Sequence, residues 1–174
     1  MLQHKYLPNA DVSTHHTIDI NASLDQVFPI VETLNFRQSR IIYWLFRLRG
    51  IPSRGNLNFQ GLEKINFVRL ESIMQQEIIF GLIGQFWTPT GMLKKFEPEE
   101  FATYNDSGYA KATWSFHFTK ISDFKTRLQT ETRIFCPTVG TRRKFRIYWI
   151  LIKPFSSLIR REVLRAFKNQ AETK

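Results

Sequence analysis

Cysteine is all but missing. Cys136 is the single one in a chain of 174 residues, which excludes an internal disulfide and a multi-cysteine zinc site. Long apolar runs are missing as well. The longest, IIYWLF at 41–46 and YWILI at 148–152, fall far short of the ~20 residues that a spanning helix needs. The opening MLQHKYLPNADVS has no apolar stretch of the kind a signal peptide carries. The chain therefore reads as soluble, not exported and cytoplasmic. No repeat, low-complexity tract or Pro/Gly/Ser-rich linker interrupts it. Its length suits one domain, placed at 13–174 behind a flexible tail at 1–12.

Catalytic and metal-binding signatures are equally sparse. His15 and His16 are neighbours in an expected strand, so they point to opposite faces and do not easily share a metal. His117 falls on the polar face of its strand and His4 in the tail, and no spacing matches a zinc site. Glu97, Glu99 and Glu100 cluster in a loop, while Glu131 faces outward beside Arg133, so no carboxylate pair is set for acid–base work. Gly81 and Gly84, in GLIG, lie inside a strand pattern rather than between a strand and a helix. They are not a phosphate loop, and they mark a bend or a close backbone approach. No cofactor is expected.

What the chain does have is positive charge and aromatic bulk. The net charge is +10, with 16 Phe and 4 Trp. A chain of this size buries roughly 70% of its unfolded surface, enough for a core without staples. The basic balance suits nucleic acid, anionic lipid or acidic ligands, or else a plain solvated face. No nucleic-acid recognition motif accompanies it, which ranks nucleic acid last.

Residues 14–20 alternate and read as a strand. Ser23 with Gln26 is a capping-box signature for a helix, which Pro29 should kink or delay. Residues 36–49 read as a second helix, closed by Gly50 and Pro52. QEIIFGLIGQFW is apolar on both faces, as in a strand buried on both sides, and MLKKF reads as a short neighbour. EPEEFATYND suggests a turn of helix and a loop. KATWSFHFTKI puts Ala112, Trp114, Phe116 and Phe118 on one face. TRLQTETRIFC puts Leu128, Thr130, Thr132 and Ile134 on one face, and SDFK between the two runs suits a hairpin. From Arg142 to Phe167 an apolar stripe recurs at helical spacing, through Phe145, Tyr148, Trp149, Ile152, Phe155, Ile159, Val163 and Phe167. Eight Lys and Arg share that segment, and Pro154 should bend the helix.

The order is strand, two helices, a run of antiparallel strands and one long helix. HTIDINASLDQVFPIV at the front and TRLQTETRIFC leading into RRKFRIYWILIKPFSSLIRREVLRAFKNQAE at the back resemble the START-like (SRPBCC) superfamily, over about residues 14–171. FGLIGQFW, EPEEFATY and GYAKATWSF resemble a largely uncharacterised bacterial group within it. The resemblance implies an α+β helix-grip fold, in which a curved antiparallel sheet wraps a long C-terminal helix and leaves a cavity between them. It also implies relatives such as polyketide cyclases and lipid-transfer domains.

The candidate wall of such a cavity is Phe80, Leu82 and Phe86, then Trp114, Phe116 and Phe118, then Leu128, Thr130, Thr132 and Ile134, with Phe145, Tyr148, Trp149 and Ile152 from the helix. Plain core packing explains the same aromatic stripes. The inward hydroxyls of Thr130 and Thr132 either bond within the protein or meet water or a ligand. Tyr148 and Trp149 combine an apolar body with one polar tip, suited to orienting a ligand. Arg37, Arg40, Arg47 and Arg49, with Arg142 and Arg143, form two basic clusters for an anion or a membrane surface. The favoured reading is a protein that binds or transfers a small hydrophobic ligand. A cyclase or dehydrase on a polyketide-like substrate is a second. A basic membrane-surface or interaction module with a packed interior is a third.

Overall fold

Alternation in KATWSFHFTKI and TRLQTETRIFC produces the two longest strands of the fold. A computed structural model of the chain describes residues 1–35, 58–63 and 66–173. In order, the described elements are α1 (Leu2–Tyr6), β1 (Val12–Ile20), α2 (Leu24–Val27), α3 (Ile30–Thr33) and α4 (Phe59–Glu63). β2 (Val68–Ile73), β3 (Glu77–Gly84), α5 (Glu100–Thr103), β4 (Ala110–Ser122), β5 (Lys125–Phe135) and α6 (Val139–Glu172) follow. The strands form one antiparallel sheet in the order β1-β5-β4-β3-β2. With the long helix laid across one face, this is an α+β fold of the helix-grip kind. The expected helix at 36–49 lies outside the described residues.

Local chemistry explains the element ends. Ser23 and Gln26 close the expected capping box around the start of α2. Pro29 separates α2 from α3, because its ring cannot sit inside a continuous helix without displacing a hydrogen bond. α6 is capped by Thr138, whose side chain accepts from the Thr141 amide. It runs unbroken through Pro154. Pro154 and Ile150 both face solvent, where water can satisfy the Ile150 carbonyl that the proline leaves unpaired. MLKKF forms no strand. It runs as a loop held to β3 by the Lys94 amide on the Ile83 carbonyl, 2.9 Å.

The sheet is covered on both sides along β3, all of whose residues are buried. Inward, Ile78 and Phe80 join Phe116, Phe118, Leu128 and Phe167 in the main core under α6. Outward, Ile79 and Ile83 meet Leu2, Leu7, Phe96 and Phe101. The outer layer differs from the expectation of a loose tail at 1–12. Gln3 is 1% exposed. Its amide donates to Ser115 Oγ and the Glu131 carbonyl and accepts from Thr113 Oγ1. Glu77, also buried, accepts from the Leu2 amide at 2.8 Å. Thr113 and Ser115, on the outer face of β4, thus have a partner more than a hundred positions away, which alternation alone could not supply. Lys111, also outward on β4, finds its partners locally instead. It donates to the Phe101 and Ala102 carbonyls at the end of α5, and burial pushes its pKa below the usual lysine value.

Candidate functional site

Side-chain size tapers along the inner face of the sheet. On β4 the inward positions run Ala110, Ala112, Trp114, Phe116, Phe118, and register sets Ala112 opposite both Leu82 and Ile134. At the large end Phe59 stacks on Phe80 with centroids 5.1 Å apart and meets Phe116 edge-on at 5.2 Å. At the small end the same sheet and helix leave a cavity of about 660 Å³. Leu82, Ala112, Trp114 and Ile134 form its floor, and Phe145, Tyr148, Trp149, Ile152 and Ile159 its helical roof. The loop 86–91 and Phe67 complete the wall, with Pro89 and Thr90 exposed at its rim.

Gly84 brings that loop close. A Cβ there would sit 2.7 Å from the Gly91 carbonyl oxygen, so the glycine allows the Gln85 amide to reach Gly91 O at 2.8 Å. Gly91 itself has φ +69°, in the left-handed region that glycine adopts without cost. The close-approach reading of GLIG is correct at this position.

One corner of the cavity is polar. Arg160 Nε donates to Thr132 Oγ1 at 2.6 Å, and its Nη1 donates to the Ser156 carbonyl at 2.8 Å and to Ser156 Oγ at 2.6 Å. The guanidinium lies 5.9 Å from the Trp114 ring centre. A half-buried cation fixed on an aromatic face suits an anionic or strongly polar ligand group. Thr130 has a different task. Its hydroxyl accepts from Trp114 Nε1 at 2.8 Å and donates to the Ser115 carbonyl at 2.9 Å, which orients the indole that forms the cavity floor.

The expected wall residues therefore divide. Leu82, Phe86, Trp114, Thr132, Ile134, Phe145, Tyr148, Trp149 and Ile152 border the cavity. Phe80, Phe116, Phe118, Leu128 and Thr130 do not. They are packed core, because the large rings at that end close the space that period-two alternation cannot measure. The expected inward stripe of α6 also loses Phe155, which is 41% exposed. Arg160 and Ser156 went unread in the sequence, although their helical spacing from Ile152 and Ile159 places them on the inner face. Ala112, in a strand whose next inward positions are rings, was the readable sign of missing volume.

Of the basic positions, Arg142 is tied to Asp11 in an ion pair at 2.5 Å. Arg143 is exposed. Arg37, Arg40, Arg47 and Arg49 lie outside the described residues. Cys136 is fully buried, and burial, with Asp11 nearby, pushes its thiol up to about 12. It stays protonated and unreactive at neutral pH. Among the described residues no His, Cys, Asp and Glu group is arranged to hold a metal, and no helix is long and apolar enough to cross a membrane.

No family model and no curated protein matches the chain. Among solved structures, a hypothetical protein from Helicobacter pylori is similar at TM-score 0.46 and 8% identity, covering 97% of this chain and 93% of that one. An aromatase/cyclase from a Streptomyces species is similar at TM-score 0.36 and 13% identity, covering 92% and 93%. Norcoclaurine synthase from Thalictrum flavum is similar at TM-score 0.32 and 13% identity, covering 92% and 83%. Identities and scores this low carry no activity across.

Proposed function

We propose that this protein, read as one START-like domain, binds a small, mainly apolar molecule with one anionic or polar end between its sheet and α6. The observation that carries the reading is the cavity itself. Its volume falls within the ~300–1,000 Å³ typical of small-molecule sites, and such sites are apolar with few placed polar groups. Burial of the ligand's apolar body against Leu82, Ala112, Ile134 and Trp149 supplies affinity. The corner made by Arg160, Thr132 and Ser156 supplies orientation, since a charge-assisted hydrogen bond outweighs a neutral one about twofold. Tyr148 adds a hydroxyl to the roof.

The test is native mass spectrometry of gently purified protein, followed by titration with laurate and with lauryl alcohol. One ligand per chain is expected. Arg160→Gln should weaken laurate by about tenfold or more while moving the alcohol by less than about threefold. An empty protein that takes up neither compound would end the reading, and equal losses for both would remove the role assigned to Arg160.

A further inference from the structure

The helix that roofs the cavity has a second apolar face. Ile147, Ile150, Leu151, Phe155 and Leu158 recur at helical spacing on α6, and Ile150 and Leu151 are 75% and 69% exposed. They form a stripe roughly 17 Å long at 1.5 Å per residue. Exposed apolar residues contiguous along one face and rimmed by charge mark an interaction surface. Pro154 lies within it, and its exposed ring extends the apolar surface.

Charge identifies the cover. Residues 139–161 contain seven Lys and Arg and no Asp or Glu. Arg143, Lys144 and Arg161 stand at the two ends of the stripe, and Arg146 and Lys153 flank it. All five are exposed. The first acidic residue of the helix, Glu162, is buried and held by Arg165 at 2.6 Å. Apolar residues bordered by cations of one sign are the surface that an anionic lipid bilayer satisfies. The acyl region takes up the isoleucines and leucine, while the lipid phosphates meet the cations. A second copy of this basic chain would leave the cations facing each other.

We propose that the outer face of α6 between Ile147 and Leu158 is a docking surface for an anionic lipid bilayer, with α6 lying in the interfacial plane. The docking does not depend on whether the cavity holds a ligand. If both hold, the same helical segment faces lipid on one side and cargo on the other.

The experiment is vesicle co-sedimentation of the full chain with phosphatidylcholine alone and with about a third of it replaced by phosphatidylglycerol. Binding is expected only to the anionic vesicles and should fall in high salt. Ile150→Ser/Leu151→Ser alters only exposed side chains and should lower binding by about tenfold or more. Lys144→Gln/Lys153→Gln should lower it by roughly fivefold per cation removed. Circular dichroism melts confirm that each variant remains folded. Equal sedimentation of the serine variant and the wild type would overturn the proposal, as would equal binding to neutral vesicles. So would a dimer of the wild type that the serine substitutions convert to monomer, since a second copy would then be the cover. Laurate binding unchanged in the serine variant separates failure here from failure of the cavity reading.

Discussion

The two ends of the interface between sheet and long helix use the same strands and the same helix, yet one is solid and the other hollow. At the solid end Phe80, Phe116 and Phe167 are each no more than 1% exposed and touch ring to ring through Phe59. At the hollow end the corresponding positions are Ala112 and Leu82 on the sheet and Ile152 and Ser156 on the helix. The lesson is that a cavity here comes from what the strand omits. Ala112, where the pattern elsewhere holds rings, withdraws volume that leaves room for a ligand, while the aromatic end holds the helix in place.

That contrast can be broken by mutation, and the largest effect is expected at the solid end. Phe116→Ala should destabilise the fold by about 3–5 kcal/mol in urea denaturation, since the surrounding rings cannot collapse into the space. Ligand uptake at temperatures below the melt should persist, because Phe116 does not border the cavity. A loss below ~1 kcal/mol would mean that the solid end is looser than described.

Enlarging a side chain sharpens the comparison. Val163→Phe, at the solid end, should cost about 1–3 kcal/mol by overpacking. Ala112→Leu, at the hollow end, should change stability by less than about 1 kcal/mol, because its methyl groups enter empty space. The same leucine should reduce laurate binding by about tenfold or more, through the volume it removes. Thermal melts and ligand titration on the two variants check both halves.

The smallest effect concerns His16, which lies beneath the helix near the polar corner. Its Nε2 is 3.1 Å from Ser157 Oγ. Burial, then the charges of Arg161, Arg160 and His15, hold its pKa below the ordinary imidazole value. A depressed imidazole binds fewer protons folded than unfolded. Stability is therefore whole above about pH 6.5, the unfolded value, and declines as the pH falls below it toward the folded value. His16→Gln should flatten that decline in melts recorded between pH 7 and pH 5. A decline of unchanged size would place its origin in other groups.

Much of this was legible in the chain. Alternation in KATWSFHFTKI and TRLQTETRIFC put Trp114, Phe116, Thr130 and Thr132 on one face, because strand side chains have a period of two, and the structure pairs Trp114 with Thr132 and Phe116 with Thr130. Doubly apolar QEIIFGLIG correctly indicated a strand covered on both faces, and the capping box and Pro29 marked where α2 begins and ends. Less legible was depth. Phe118, Leu128 and Ile134 share the inward face, yet only Ile134 reaches the cavity. The burial of Gln3 was hidden because its partners sit on β4 and β5. Ile147, Ile150 and Leu151 fell off the inward stripe by spacing, but that they form a second, exposed apolar face emerged only from the packing.

The sequence by itself determined β1, β3, β4 and β5, the long helix and the inward parity of the aromatic residues on β4, since these follow from local periodicity and turn chemistry; β2 carried no such signal. The tertiary structure alone decided which inward residues touch one another and which face empty space, that Arg160 meets Thr132 and Ser156, and that Leu2, Gln3 and Leu7 are buried against the sheet. Those outcomes depend on volumes and partners brought together from distant parts of the chain, and local patterns hold no record of them.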